Sequence, residues 1–126
     1  MGKNMATEIS NEELFQLLKE KLESMKFLKK FYIGKTNDIE CRRKQHRDEG
    51  YSETIEIAHG DYESIKKAEE YLIKMFKDNC LCDNEQVGGG PKGNKLYISY
   101  TCDFAGAKSI DELDDDDLNW EDSFSI

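Results

Sequence analysis

The sequence predicts a small α/β domain of the mixed α+β type, in which three helices and three strands alternate along the chain before an acidic tail. Three observations lead there. Two stretches carry apolar residues at helical spacing, three shorter ones are rich in β-formers, and beyond Phe104 the composition turns acidic with few apolar residues. A chain of 126 residues suffices for one domain, which buries roughly two-thirds of its unfolded surface. Residues 1–9 read as a flexible arm, 10–102 as the domain and 103–126 as a tail expected to be disordered.

The first helix is expected to start at Ser10-Asn11-Glu12-Glu13, a capping box in which the Ser10 hydroxyl and the Glu13 carboxylate satisfy each other's orphan amides. Leu14, Leu17, Leu18, Leu22 and Met25 then give it one apolar face, to be packed on a sheet. Lys29 to Lys35 reads as a strand built on Phe31, Tyr32 and Ile33, with Gly34 allowing a bend. Thr36 or Asn37 can cap a second helix from Asp38 to about Asp48, stopped by Gly50. This helix lacks an apolar stripe. One of its faces carries Ile39, Arg42, Arg43 and His46, which suggests a polar site.

Ser52 to Ala58 alternates as a half-buried antiparallel strand, and Asp61 can cap a third helix whose buried face holds Ile65, Ala68, Leu72, Met75 and Phe76. At about 100° per residue with Ile65 at zero, Leu72 falls at about 340°, Phe76 at about 20° and Glu69 at about 40°, inside the apolar arc. Glu70 points to water. A carboxylate on a core-facing stripe costs several kcal/mol unless it is paired or binds a metal. Arg42 or Arg43 could supply the pair. A polar loop with Asn79, Asn84 and three consecutive glycines leads to a last strand, Lys95 to Cys102.

The net charge of −9 is unevenly spread. Residues 103–126 hold nine acids and one Lys, so residues 1–102 carry only −1, while Lys26 to Arg47 has eight Lys or Arg against two acids. That basic run suits either phosphate contact or a solvated helix face. The tail, with Leu118, Trp120 and Phe124 among acids, suits either folding against a basic partner or simple solubilisation. Four unevenly spaced cysteines make no disulfide framework and are expected to be free thiols. No apolar run nears the ~20 residues of a membrane span, and Met1 to Ser10 lacks the order of a secretory signal, so an intracellular protein without membrane contact is expected. Two phosphate-binding motifs are rejected. Gly88, Gly90 and Gly93 precede a strand where a dinucleotide site needs a helix, and Lys29 stands where a P-loop before Gly34-Lys35-Thr36 needs glycine.

Taken in order, Tyr32-Ile33-Gly34-Lys35-Thr36-Asn37, Arg42 ten residues after Tyr32, His46 four later, and Glu69-x-x-Leu72-Ile73 resemble the GIY-YIG nuclease family over about residues 27–98. The resemblance implies a three-stranded antiparallel sheet flanked by helices, and hydrolysis of DNA phosphodiester bonds with one Mg²⁺ or Mn²⁺ ion. Glu69 would hold the metal. Arg42 would neutralise charge on the phosphoryl oxygens. Tyr32 would orient or deprotonate the attacking water, with Lys35 lowering its pKa. His46 would contact phosphate or assist the base, Asn84 rather than Asn79 would steady the metal loop, and Lys30, Arg43, Lys44 and Arg47 would contact DNA. The GIY half, due about ten residues before Tyr32, is absent: Leu22 stands there, inside a helix. Tyr97 or Tyr100 on the last strand is then the candidate second tyrosine. A binding module that keeps the fold without catalysis is the competing function, and the tail invites a protein partner.

Overall fold

The computed structural model describes residues 9–25, 28–84, 92–102 and 123–126. Helices α1 (Asn11–Ser24), α2 (Ile39–Asp48) and α3 (Tyr62–Phe76) alternate with strands β1 (Leu28–Thr36), β2 (Glu53–His59) and β3 (Lys95–Cys102), and a two-residue strand β4 (Phe124–Ser125) follows. The architecture is therefore α+β, with one mixed sheet in the order β1-β3-β2-β4. Among the described residues no helix is long and apolar enough to cross a membrane.

Ser10 and Glu13 form the expected capping box on α1, and Asp61 caps α3 through the Ser64 amide. At α2 the cap is Asp38 rather than Thr36 or Asn37. Its carboxylate reaches the Cys41 amide at 3.1 Å, while Thr36 Oγ1 accepts from the Asp38 amide one step earlier. The acid takes the position because it adds negative charge to the helix N-terminus. Gly50, with φ of 99°, ends α2 in the left-handed conformation that favours glycine.

β3 lies between β1 and β2 and is antiparallel to both, with Gly34 opposite Tyr97 and Ile55 opposite Ile98. The expected three-stranded antiparallel sheet is extended by β4, which runs parallel to β2 and pairs Ala58 with Phe124. The end of the acidic tail thus belongs to the sheet. Ile126 donates its amide to His59, and Ile9, expected to lie in a flexible arm, is buried and donates to Ser125. Phe124 and Ile126 pack on the core, which is why these few residues dock despite the acidic run before them. Residues 1–8 and 103–122 lie outside the described residues, as do Gly88 and Gly90.

Strand alternation divides the sheet into two faces. Phe31, Ile33, Leu96, Ile98 and Tyr100 join Leu14, Leu18, Ile65, Leu72 and Phe76 of α1 and α3 in one core. Phe76 stacks edge-on against Phe31 at 5.3 Å and lies 4.9 Å from Phe15, locking the two helices to β1. Tyr32, Gly34, Tyr97 and Ser99 therefore face the other way, toward α2.

Candidate functional site

The α2 face is built around His46, a buried imidazole in the last turn of α2. Rings of Tyr32, Tyr51 and Tyr97 lie 5.2, 5.4 and 5.5 Å from it. Its Nε2 is 2.9 Å from Tyr97 Oη, and its Nδ1 is 2.7 Å from Glu49 Oε1. α2 takes this face because Arg43 fastens it to β2. The Arg43 guanidinium donates to the Thr54 carbonyl at 2.9 and 3.1 Å, pairs with Glu53, and also pairs with Glu40. A helix without an apolar stripe is thereby anchored by one cation bound to backbone and carboxylates.

Gly34 is where this face closes. β1 runs through it as an unbroken strand, and a Cβ there would come within 2.5 Å of Tyr97 Cζ and 2.9 Å of its Cε2. The expectation that Gly34 turns the chain gives way to a different reason for glycine, close approach of an aromatic ring. Tyr97 is accordingly almost fully buried, 2% exposed, and lies 6.4 Å from the Tyr32 ring. Tyr100, the other candidate second tyrosine, points into the opposite core.

The second half of the candidate set, Lys35 with Glu69 of α3, sits on the side of β1 that Phe31 and Ile33 also face. Lys35 Nζ donates to Glu69 Oε1 at 2.8 Å, and both side chains are below a tenth exposed. Glu69 is therefore neutralised by Lys35 and not by Arg42 or Arg43. Arg42 instead donates to Gln45 at 2.7 Å. Burial raises the Glu69 carboxyl above the ordinary range, with the Lys35 hydrogen bond and charge pulling it back.

Electrostatics tie the halves together. Burial is the first cause that raises the Tyr32 phenol above its ordinary value, the Glu69 charge raises it further, and Arg42 lowers it. Tyr97 is raised by burial first, and again Glu69 raises and Arg42 lowers it. Both phenols thus lie within the fields of Glu69 and Arg42. The Tyr32 phenol is raised overall, so the lowered value expected of it is not found, and the Lys35 ammonium lies 2.8 Å from Glu69.

The remaining sequence candidates are dispersed. Asn84 clamps the β1 edge, its Oδ1 accepting from the Ile33 amide at 2.9 Å and its Nδ2 donating to the Ile33 carbonyl at 2.8 Å. Lys30 sits 4.6 Å above the Tyr51 ring and 3.9 Å from Asp83. Lys44 and Arg47 are exposed on α2. Sequence reasoning passed over Glu49, Tyr51 and Asp83, although an aromatic directly after the Gly50 stop is a usable signal. Tyr51 Oη donates to Asp83 Oδ2 at 2.5 Å, which fixes residues 81–84 beside β1.

A divalent cation would find one hard carboxylate here. No group of three His, Cys, Asp or Glu side chains converges among the described residues. Mg²⁺ binds through one or two carboxylates completed by water and phosphate oxygens, and Glu69, the carboxylate expected to hold it, is buried with Oε1 engaged by Lys35 at 2.8 Å. Chemically the site offers phenols, an imidazole with a carboxylate behind it, a guanidinium and one buried carboxylate. No family model matches the chain, and neither a curated protein nor a solved structure shows significant similarity to it.

Proposed function

We propose that the chain is a metal-dependent endonuclease of the GIY-YIG type, hydrolysing phosphodiester bonds in DNA. The observation that carries this reading is the convergence of Tyr32, His46 and Tyr97 in one cluster whose phenols feel both Arg42 and Glu69. Tyr97 would take the part of the tyrosine that the signature expects before Tyr32. It arrives from the strand after the Glu69 helix, and Leu96-Tyr97-Ile98 stands antiparallel to Ile33-Gly34-Lys35.

On this reading Tyr97 orients the attacking water and takes a proton from its O–H while its own hydroxyl proton passes to His46 Nε2. The oxygen of that water bonds to phosphorus as the P–O bond to the departing sugar oxygen breaks. Arg42 neutralises charge growing on the phosphoryl oxygens. Mg²⁺ or Mn²⁺ held by Glu69 would supply positive charge to the phosphate and the leaving oxygen. Tyr32 packs against His46, its ring 5.2 Å from the imidazole. Lys30, Lys44 and Arg47 supply cationic charge for the DNA backbone.

The test is nicking of supercoiled DNA in Mg²⁺ or Mn²⁺ by the wild type and by Glu69→Gln, Tyr97→Phe, Arg42→Ala and Arg47→Ala. The first three substitutions are expected to lower the rate by roughly 10²-fold or more, whereas Arg47→Ala leaves it within a few-fold. No nicking by the wild type, or equal nicking by Glu69→Gln, would sink the proposal. One observation favours a second reading, a binding module without catalysis: Lys35 already neutralises Glu69, so the fold needs no metal. Metal-independent DNA binding that Glu69→Gln leaves unchanged, together with no nicking, would select it.

A further inference from the structure

We infer that Glu49 is a positioning residue that holds His46 in the tautomer able to accept the Tyr97 hydroxyl proton. The inference rests on the proposed hydrolysis and adds to it a residue that the sequence pattern does not contain. Glu49 follows the last residue of α2 as its C-terminal cap. Its backbone amide bonds to the Gln45 and His46 carbonyls, which places its side chain one turn beyond the imidazole.

The geometry fixes the protons. A carboxylate only accepts hydrogen bonds, so the 2.7 Å contact between Glu49 Oε1 and His46 Nδ1 requires the hydrogen on Nδ1. A neutral imidazole with that hydrogen has a bare Nε2. The 2.9 Å contact at Nε2 is then an acceptor for the Tyr97 O–H. In the other tautomer Nε2 would donate to the Tyr97 oxygen and leave no place for the phenolic proton. When His46 takes that proton it becomes a cation, and the charge of Glu49 stands against its far side.

The surroundings leave His46 little else to be oriented by. Its ring is buried among Tyr32, Tyr51 and Tyr97, and only Tyr97 among these makes a hydrogen bond to it. The Glu49 charge also reaches past the imidazole, contributing to the upward shifts of both Tyr32 and Tyr97. Such phenols stay protonated at neutral pH, so a proton must be handed through Tyr97 to His46 instead of being taken by a standing phenolate.

Two measurements on the full chain decide it. In ¹⁵N-resolved NMR of the neutral imidazole, above the ordinary histidine range, wild-type His46 is expected to show the Nδ1–H tautomer. Glu49→Gln, whose amide oxygen still accepts, is expected to keep it, and Glu49→Ala to lose it to a mixture. In the nicking assay Glu49→Ala is expected to lower the rate at saturating DNA by roughly 10-fold or more, within the ~10²–10⁴-fold that proton transfer contributes. KM should stay unchanged, and Glu49→Asp or Glu49→Gln should recover part of the rate. An Nε2–H tautomer in the wild type, or a tautomer indifferent to Glu49→Ala, overturns the inference. So does full nicking by a Glu49→Ala variant. If the wild type does not nick at all, the proposed hydrolysis fails and the catalytic half of the inference fails with it, while the tautomer result still judges the coupling of Glu49 to His46.

Discussion

Gly34 and Tyr97 depend on each other at the scale of single atoms. The nearest atom to a Cβ on Gly34 is the Tyr97 hydroxyl oxygen, the same atom that bonds to His46. Gly34→Ala is therefore expected to push the ring off the imidazole, to cost about 1–3 kcal/mol in urea unfolding, and to suppress nicking. Adding Tyr97→Ala removes the hydroxyl and the two ring carbons that all lie within 3.0 Å of that Cβ, so the double variant should lose less stability than the two single variants combined, without regaining activity. A simple sum of the two single effects would contradict that account. The phenols predict a second property. Tyr32, Tyr51 and Tyr97 are all raised above the ordinary tyrosine value, with burial as the first cause in each. A raised folded-state value means that the unfolded chain gives up its proton first as pH rises. The stability these groups contribute is thus intact below about pH 10 and lost above it. Melting temperatures between roughly pH 8 and 11 should fall more steeply for the wild type than for a Tyr51→Phe/Tyr97→Phe variant.

Among the elements, α3 carries the feature that the sequence announced best. Glu69 on an apolar arc was legible from the helical period alone, because capped amphipathic helices keep that period faithfully. Its partner was not. Lys35 looked like a neighbour of Tyr32, three positions further along the signature, but alternation along β1 sends Tyr32 and Lys35 to opposite faces and different partners. The partners of Arg43 were hidden for a related reason. A guanidinium in a basic run reads as a phosphate ligand, and only tertiary structure brings the Thr54 carbonyl and Glu53 to it. Strand positions and the roles of Gly50 and Ser10 were legible because they depend on neighbours in sequence, while the tyrosine that completes the cluster comes from a strand 65 residues after Tyr32. The buried ion pair gives a prediction for α3 and β1 together. Lys35→Met leaves a lone carboxylate in the core and should cost about 3–5 kcal/mol, whereas Lys35→Met/Glu69→Leu should come within about 1 kcal/mol of wild type. Urea unfolding of the three proteins checks this, and equal destabilisation by single and double variants would contradict it.

For the molecule as a whole, charge and chain order matter most. The acidic run of Asp114 to Asp117 lies between β3 and the docked β4, tethered at both ends to the domain that carries the basic segment. Replacing those four residues by Asn keeps β4 in place and is expected to tighten DNA binding at low salt, with the difference fading above about 0.2 M salt as screening sets in. Equal affinity at low salt would rule out competition by the tail. Removing residues 108–126 outright would be a poorer test, since it would also strip the edge strand from β2. The order of strands has another consequence. β1 and β2 do not touch in the sheet; β3 separates them and supplies Tyr97 to the cluster. While the chain is being made, β1 and β2 and all three helices emerge before the strand that joins them, so the pairings that build the sheet are long-range and must wait. A nascent chain would have Tyr32, Arg42, His46 and Glu69 outside the ribosome yet possess no assembled tyrosine–histidine cluster until its final large strand is inserted. Synthesis itself would then act as the safety catch on the proposed hydrolysis.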